Sequence, residues 1–114
     1  MKLATLDNGT RDGRLVLVSR DHHRAVPADK IAATMQDALE RWTEVEAPLL
    51  ALARSLESDD APGAFAFVAN DMLAPLPRAW QWLDGSAYDS HGELMRLATG
   101  RPAPPSDAPL MYQG

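Results

Sequence analysis

A chain of 114 residues with 46% hydrophobic content can bury one small core. Its formal charge of −5 excludes nucleic acid and anionic membrane as partners, since both are attracted mainly by clustered Lys and Arg. With no cysteine there is no disulfide framework, thiol catalysis or cysteine metal site, and no run approaches a signal peptide or a membrane span of about 20 apolar residues; a soluble, cytoplasmic protein is expected.

In chain order, Lys2 to Leu6 reads as a short strand, and Arg14 to Ser19 as a second. The second contains Leu15-Val-Leu-Val18, an aliphatic run of the kind buried on both faces. Asn8-Gly9 and Asp12-Gly13 tolerate positive φ, so a hairpin with a slightly long loop should join the two. A third strand, His22 to Val26, follows a turn at Arg20-Asp21 and stops at Pro27. Neighbours on a strand point to opposite faces, so His22 and His23 cannot chelate one ion together and are expected as surface residues. Thr34 caps the helical part, with Asp37 in the first turn. Met35, Ala38, Leu39, Trp42, Val45, Leu49, Leu52 and Leu56 then form one apolar stripe. Pro48 predicts a break near Thr43 to Ala47, hence two helices, the second capped by Thr43-Glu-Val-Glu46. Glu40, Arg41, Glu44, Glu46 and Arg54 make up a solvated face. A loop at Ser58 to Gly63 precedes a strand, Ala64 to Val68, whose two Phe rings should face the same core, and Asn70-Asp71 then turns the chain.

Pro75 and Pro77 make Leu73 to Arg78 a stiff extended connector with no helix. The apolar run Trp80-Gln-Trp82-Leu83 ends at Asp84-Gly85, a turn signal, and His91, Leu94, Met95 and Ala98 carry helical spacing from Ser86 or Asp89 to a C-cap at Gly100. Asp84 is thereby expected at a strand end and His91 in the first turn of a helix, junctions where a scaffold presents polar groups at its rim. On residue types alone, an Asp before Gly is ordinarily a turn former and a lone His a solvated surface group. Arg101 to Pro109 has too few apolar groups to offset its ordering entropy and should be extended and mobile. The fold class expected is α+β. A small N-terminal domain over residues 1–78, built of short antiparallel strands in a partly open barrel or sheet covered by two helices, is followed over 79–114 by the proline-led segment and a short helix.

Leu73-Ala-Pro-Leu-Pro-Arg78 followed by Gly85-Ser-Ala-Tyr88-Asp-Ser-His91 resembles the fumarylacetoacetate hydrolase superfamily, with its proline-rich lead-in and its G-x-x-Y-x-x-H element. Asp84 stands seven residues before His91, as a metal-binding aspartate precedes the catalytic histidine in that family. Pro109-Leu-Met-Tyr112-Gln-Gly114 is similar to its substrate-holding tyrosine-glycine turn, and Met1-Lys-Leu-Ala-Thr-Leu6 to the opening of bacterial members. The resemblance implies the N-terminal piece of a metal-dependent hydrolase of aromatic amino acid catabolism, homodimeric when full length, that cleaves a carbon–carbon bond in a β-diketo acid. His91 would be the general base and Asp84 one ligand of Mg²⁺ or Ca²⁺, whose remaining ligands lie elsewhere. Tyr112 and Ser86 would hydrogen-bond substrate oxygens, and Arg96 or Arg101 would pair with a substrate carboxylate.

The sequence departs from the hydratase and acylpyruvase branches, where a glutamate follows the histidine by three positions: here that position is Leu94, and the nearest acid, Glu93, does not share a helix face with His91. Two further functions fit the same residues. One is hydration, decarboxylation or isomerisation of 2-oxo acids within the superfamily, and the other is a stand-alone, non-catalytic interaction domain.

Overall fold

The computed structural model describes residues 1–86, 88–101 and 110–113, which fall into two units, Met1–Arg78 and Ala79–Gly114. The first unit is built on three consecutive antiparallel strands, β1 (Lys2–Leu6), β2 (Arg14–Val18) and β3 (Arg24–Pro27). Two short strands complete the sheet. β4 (Phe65–Ala66) pairs with β3, and β5 (Met72–Leu73) returns to β1, giving the order β4-β3-β2-β1-β5. The architecture is α+β, with the sheet curled into a half-open barrel.

The run Leu15-Val-Leu-Val18 occupies the centre of this sheet and is buried throughout. Because successive side chains alternate, it feeds two separate cores. Leu15 and Leu17 join Val26, Met35, Ala38, Val45, Leu49 and Leu56 on the helix-covered face. Val16, Val18 and Ala25 form the other, closed by Ala4, Leu6, Met72 and the rings of Phe65 and Phe67, which do face one core.

Two helices cover the first face, α1 (Met35–Glu40) and α2 (Trp42–Glu57). The Thr34 hydroxyl accepts the Asp37 N–H at 3.1 Å, and the Asp37 carboxylate accepts the Ala33 N–H at 2.9 Å, a reciprocal cap. The break between the helices falls at Arg41 rather than between Thr43 and Ala47, and Pro48 sits inside α2. Arg41 leaves the helical region at φ −113°, ψ 28°, with its guanidinium on Asp37 and Glu44. Pro48 is exposed, as is Glu44, whose carbonyl loses its amide partner to the proline and can be hydrated. An interior proline costs a helix about 3 kcal/mol. Burying Val45, Leu49 and Leu56 on one continuous helix contributes about 1.5–3 kcal/mol each, so burial decides the outcome.

Two other expectations change in this unit. β3 starts at Arg24, and His22 and His23 belong to the turn before it, where Asp21 accepts the Ser19 hydroxyl at 2.5 Å and the His23 N–H at 3.0 Å. His22 is left-handed at φ 61°. The proline connector is helix-free but bends and turns instead of running extended. It is held there by a 2.7 Å hydrogen bond from the Thr5 hydroxyl to the Pro75 carbonyl and by the fork of Arg78 on both carboxylate oxygens of Asp12, each at 2.5 Å, while Leu76 packs on the helix-side core.

Three carboxyls are held below their ordinary value of 3.8. Asp12 is lowered by the Arg78 hydrogen bonds, Asp21 by the Ser19 hydroxyl and the His23 N–H, and Asp37 by the Ala33 N–H and Arg41. Each therefore binds its proton more weakly folded than unfolded. The stabilisation is present in full above the unfolded value and is lost as pH falls through the lower folded values. The urea midpoint, followed by far-ultraviolet circular dichroism, should hold from neutrality to about pH 4 and fall below it. A midpoint unchanged down to about pH 2.5 would contradict these assignments.

In the second unit, β6 (Leu83–Ser86) pairs antiparallel with β7 (Leu110–Gln113), and α3 (Asp89–Thr99) lies between them in sequence. Gly100 closes α3 in the left-handed conformation at φ 68°, its N–H on the Arg96 carbonyl at 2.9 Å. Asp84-Gly85 is not a turn but the middle of β6, because each residue has a partner on β7. Likewise Tyr112 lies in a strand and not in a turn. The expected course of Arg101 to Pro109 falls, from residue 102 on, outside the described residues. Among the described residues no helix is long and apolar enough to cross a membrane.

Candidate functional site

The β6–β7 ladder sets Asp84 directly opposite Tyr112 and Gly85 opposite Met111. Directly opposed residues share a face of the ladder, with their Cβ atoms about 5 Å apart. Tyr112 accordingly donates its hydroxyl hydrogen to Asp84 Oδ2. The phenol is held in its protonated form: the hydrogen bond to Asp84, and then that carboxylate's charge, push the Tyr112 hydroxyl above its ordinary value of 10. The pair thus presents a phenol whose hydrogen is engaged and a carboxyl group with an oxygen to spare.

His91 stands in the first turn of α3, exposed, with its backbone N–H on the Tyr88 carbonyl at 3.0 Å. Among the described residues no hydrogen bond joins its imidazole to Asp84 or Tyr112. Arg96 lies one turn further on and pairs with Glu93 at 3.3 Å, which engages the nearest acid after His91. Arg101 follows the Gly100 cap, its N–H on the Thr99 hydroxyl at 3.4 Å. Ser86 ends β6. Its side chain lies outside what the structure describes. The geometry thus brings Asp84 and Tyr112 into direct contact and leaves the other candidates on neighbouring stretches of the same unit.

The family model described as fumarylacetoacetase N-terminal domain 2 matches residues 1–78. The chain belongs to this fumarylacetoacetase N-terminal domain family. No curated protein gave a match. The matched residues coincide with the first structural unit, Met1–Arg78, and every candidate site residue lies beyond them, in Ala79–Gly114.

The test of a metal in this fumarylacetoacetase-type chain is the donor set. Mg²⁺ wants six oxygens and Ca²⁺ six to eight. Among the described residues there is no group of three or more His, Asp or Glu side chains able to hold an ion. Asp84, with one oxygen already accepting from Tyr112, does not make a metal site by itself.

The pairing has a direct spectroscopic consequence. Asp84→Ala removes both the acceptor and the charge that hold the Tyr112 proton, so phenolate absorbance in an alkaline titration should show this tyrosine returning to about 10, like a solvated one. Tyr112→Phe should remove the late-titrating component from the wild-type curve. If no component of the wild-type curve titrates above about 10, the contact is absent in solution.

Proposed function

We propose that this chain is the N-terminal portion of a metal-dependent, fumarylacetoacetase-like hydrolase that cleaves a carbon–carbon bond of a β-diketo acid, and that residues 1–114 alone do not turn over. The observation that carries this reading is the family match over residues 1–78. The Asp84–Tyr112 pair supports it by placing a carboxylate and a phenol donor side by side downstream.

In this reading the His91 imidazole takes a proton from water. The water oxygen bonds to a carbonyl carbon, the bond to the adjacent carbon breaks, and its electron pair leaves as an enolate that is then protonated, giving a carboxylic acid and a ketone. On substrate binding Tyr112 turns its single hydroxyl hydrogen from Asp84 to a substrate oxygen, and Ser86 adds a second donor. Arg96 or Arg101 pairs with the substrate carboxylate. Asp84 contributes one oxygen to a Mg²⁺ or Ca²⁺ site that the described residues do not complete, so no step is routed through the ion. Glu93 faces Arg96, so an acid partner for His91 comes from elsewhere.

The test is turnover by the complete protein that carries this segment. With Mg²⁺ present it should consume a β-diketo acid such as fumarylacetoacetate and release two products in equal amounts; a chelator should stop it, and Asp84→Ala should raise the Mg²⁺ concentration needed for half-maximal rate. A folded, Mg²⁺-supplied protein that leaves β-diketo acids intact but hydrates, decarboxylates or isomerises a 2-oxo acid would move it to the other reactions of the superfamily. Inertness towards both classes would leave a non-catalytic interaction domain.

A further inference from the structure

A cavity of about 400 Å³ opens on the first unit where the start of β1, the end of β2 and the last turns of α2 meet. That volume is within the range of small-molecule sites, about 300–1,000 Å³. Leu50 and Ala53 of α2 give it an apolar side, the end of β2 at Val18 borders it, and three cations, Lys2, Arg20 and Arg54, also line it. Its single acid, Glu57, is turned to the backbone, where its carboxylate accepts the Arg20 N–H at 2.9 Å.

In a chain with a net charge of −5, three cations against one acid is a local reversal of sign. Arg14, Arg24, Arg41, Arg78 and Arg96 each hold an Asp or Glu, whereas among the described residues the guanidinium groups of Arg20 and Arg54, like those of Arg11 and Arg101, hold none. Lys2 is anchored at the rim: Nζ donates to the Arg20 carbonyl at 2.7 Å and meets His22 Nε2 at 2.5 Å, leaving one of its three N–H donors to offer.

We infer that this cavity binds a small organic monocarboxylate, with its carboxylate in the forks of Arg20 and Arg54 beside Lys2 and its apolar body on Leu50 and Ala53. Guanidinium forks match the planar two-oxygen group of a carboxylate. The apolar side offers nothing to a bare inorganic anion, and the negative chain around the site disfavours a polyanion. The site lies wholly within the first unit and is independent of the hydrolytic reading of residues 79–114.

The test is a titration of the whole chain with benzoate, benzamide and inorganic phosphate, followed by amide proton–nitrogen correlation spectra. Benzoate should shift the resonances of Lys2, Val18, Arg20, Ala53 and Arg54 saturably, with benzamide and phosphate each at least about tenfold weaker. Arg54→Ala and Arg20→Ala should each weaken benzoate about tenfold, and Arg54→Lys, which keeps the charge but not the fork, should fall between. Both arginines are exposed, so the variants should give otherwise unchanged spectra. Shifts that are absent or scattered, benzamide binding as well as benzoate, or an Arg54→Ala variant with undiminished affinity would overturn the proposal. Phosphate binding as tightly as benzoate would also overturn it, by showing a bare anion site.

Discussion

On the hydrolytic reading proposed above, His91→Ala in the complete protein should lower kcat by about 10²–10⁴-fold while leaving the fold and metal content unchanged. The magnitude is what a positioned general base contributes, about 3–5 kcal/mol of barrier. The side chain is exposed on α3, so truncation to Cβ removes little packing. The experiment is therefore read cleanly, with kcat, the unfolding midpoint and metal content measured on one preparation. A variant that keeps the wild-type rate would remove His91 from the mechanism, and one that loses rate together with its fold would make the residue structural.

Gly13→Ala should destabilise the first unit by about 2–5 kcal/mol, a large part of the 5–15 kcal/mol typical of a domain. Two causes add. Gly13 has φ +64°, where an L side chain costs about 1–2 kcal/mol. A Cβ there would also lie 2.5 Å from Thr5 Cγ2 and 2.7 Å from the Leu6 carbonyl oxygen, and the latter is backbone inside a paired strand and cannot swing away. Gly9 supplies the control: at φ +78° it has nothing within 4 Å, so Gly9→Ala meets only the conformational cost of about 1–2 kcal/mol. Urea unfolding of the two variants separates the terms. Equal losses would mean that the loop relaxes and the close approach at Gly13 carries no energy.

The same hairpin was legible in the sequence because its signals are local. The aliphatic run Leu15–Val18, the dipeptides Asn8-Gly9 and Asp12-Gly13, and the cap at Thr34 each act over a few residues, and the structure has all of them. What misled was a local signal overruled from a distance. Pro48 does not break its helix, since Val45, Leu49 and Leu56 need one continuous face against the sheet, and the break moves to Arg41, where two acids hold the guanidinium. Asp84-Gly85 carries a turn signature, yet its partners come from Met111 and Tyr112, far along the chain. The candidate site was reached through motif likeness, whereas the direct contact of Asp84 with Tyr112 depends on strand register, which no motif encodes. Arg54, assigned to a solvated face, shares a cavity with Lys2 and Arg20 only once α2 is laid across the ends of β1 and β2.

The return of Met72 and Leu73 to Thr5 and Leu6, with the Thr5 hydroxyl on the Pro75 carbonyl, links positions 70 residues apart. Clipping the chain before Met72 would spare the three-stranded meander but bare the outer rail of β1, a ready seam for neighbouring molecules. Such a shortened protein should reveal itself by clumping, a gatekeeper's absence, before it shows any loss of secondary structure.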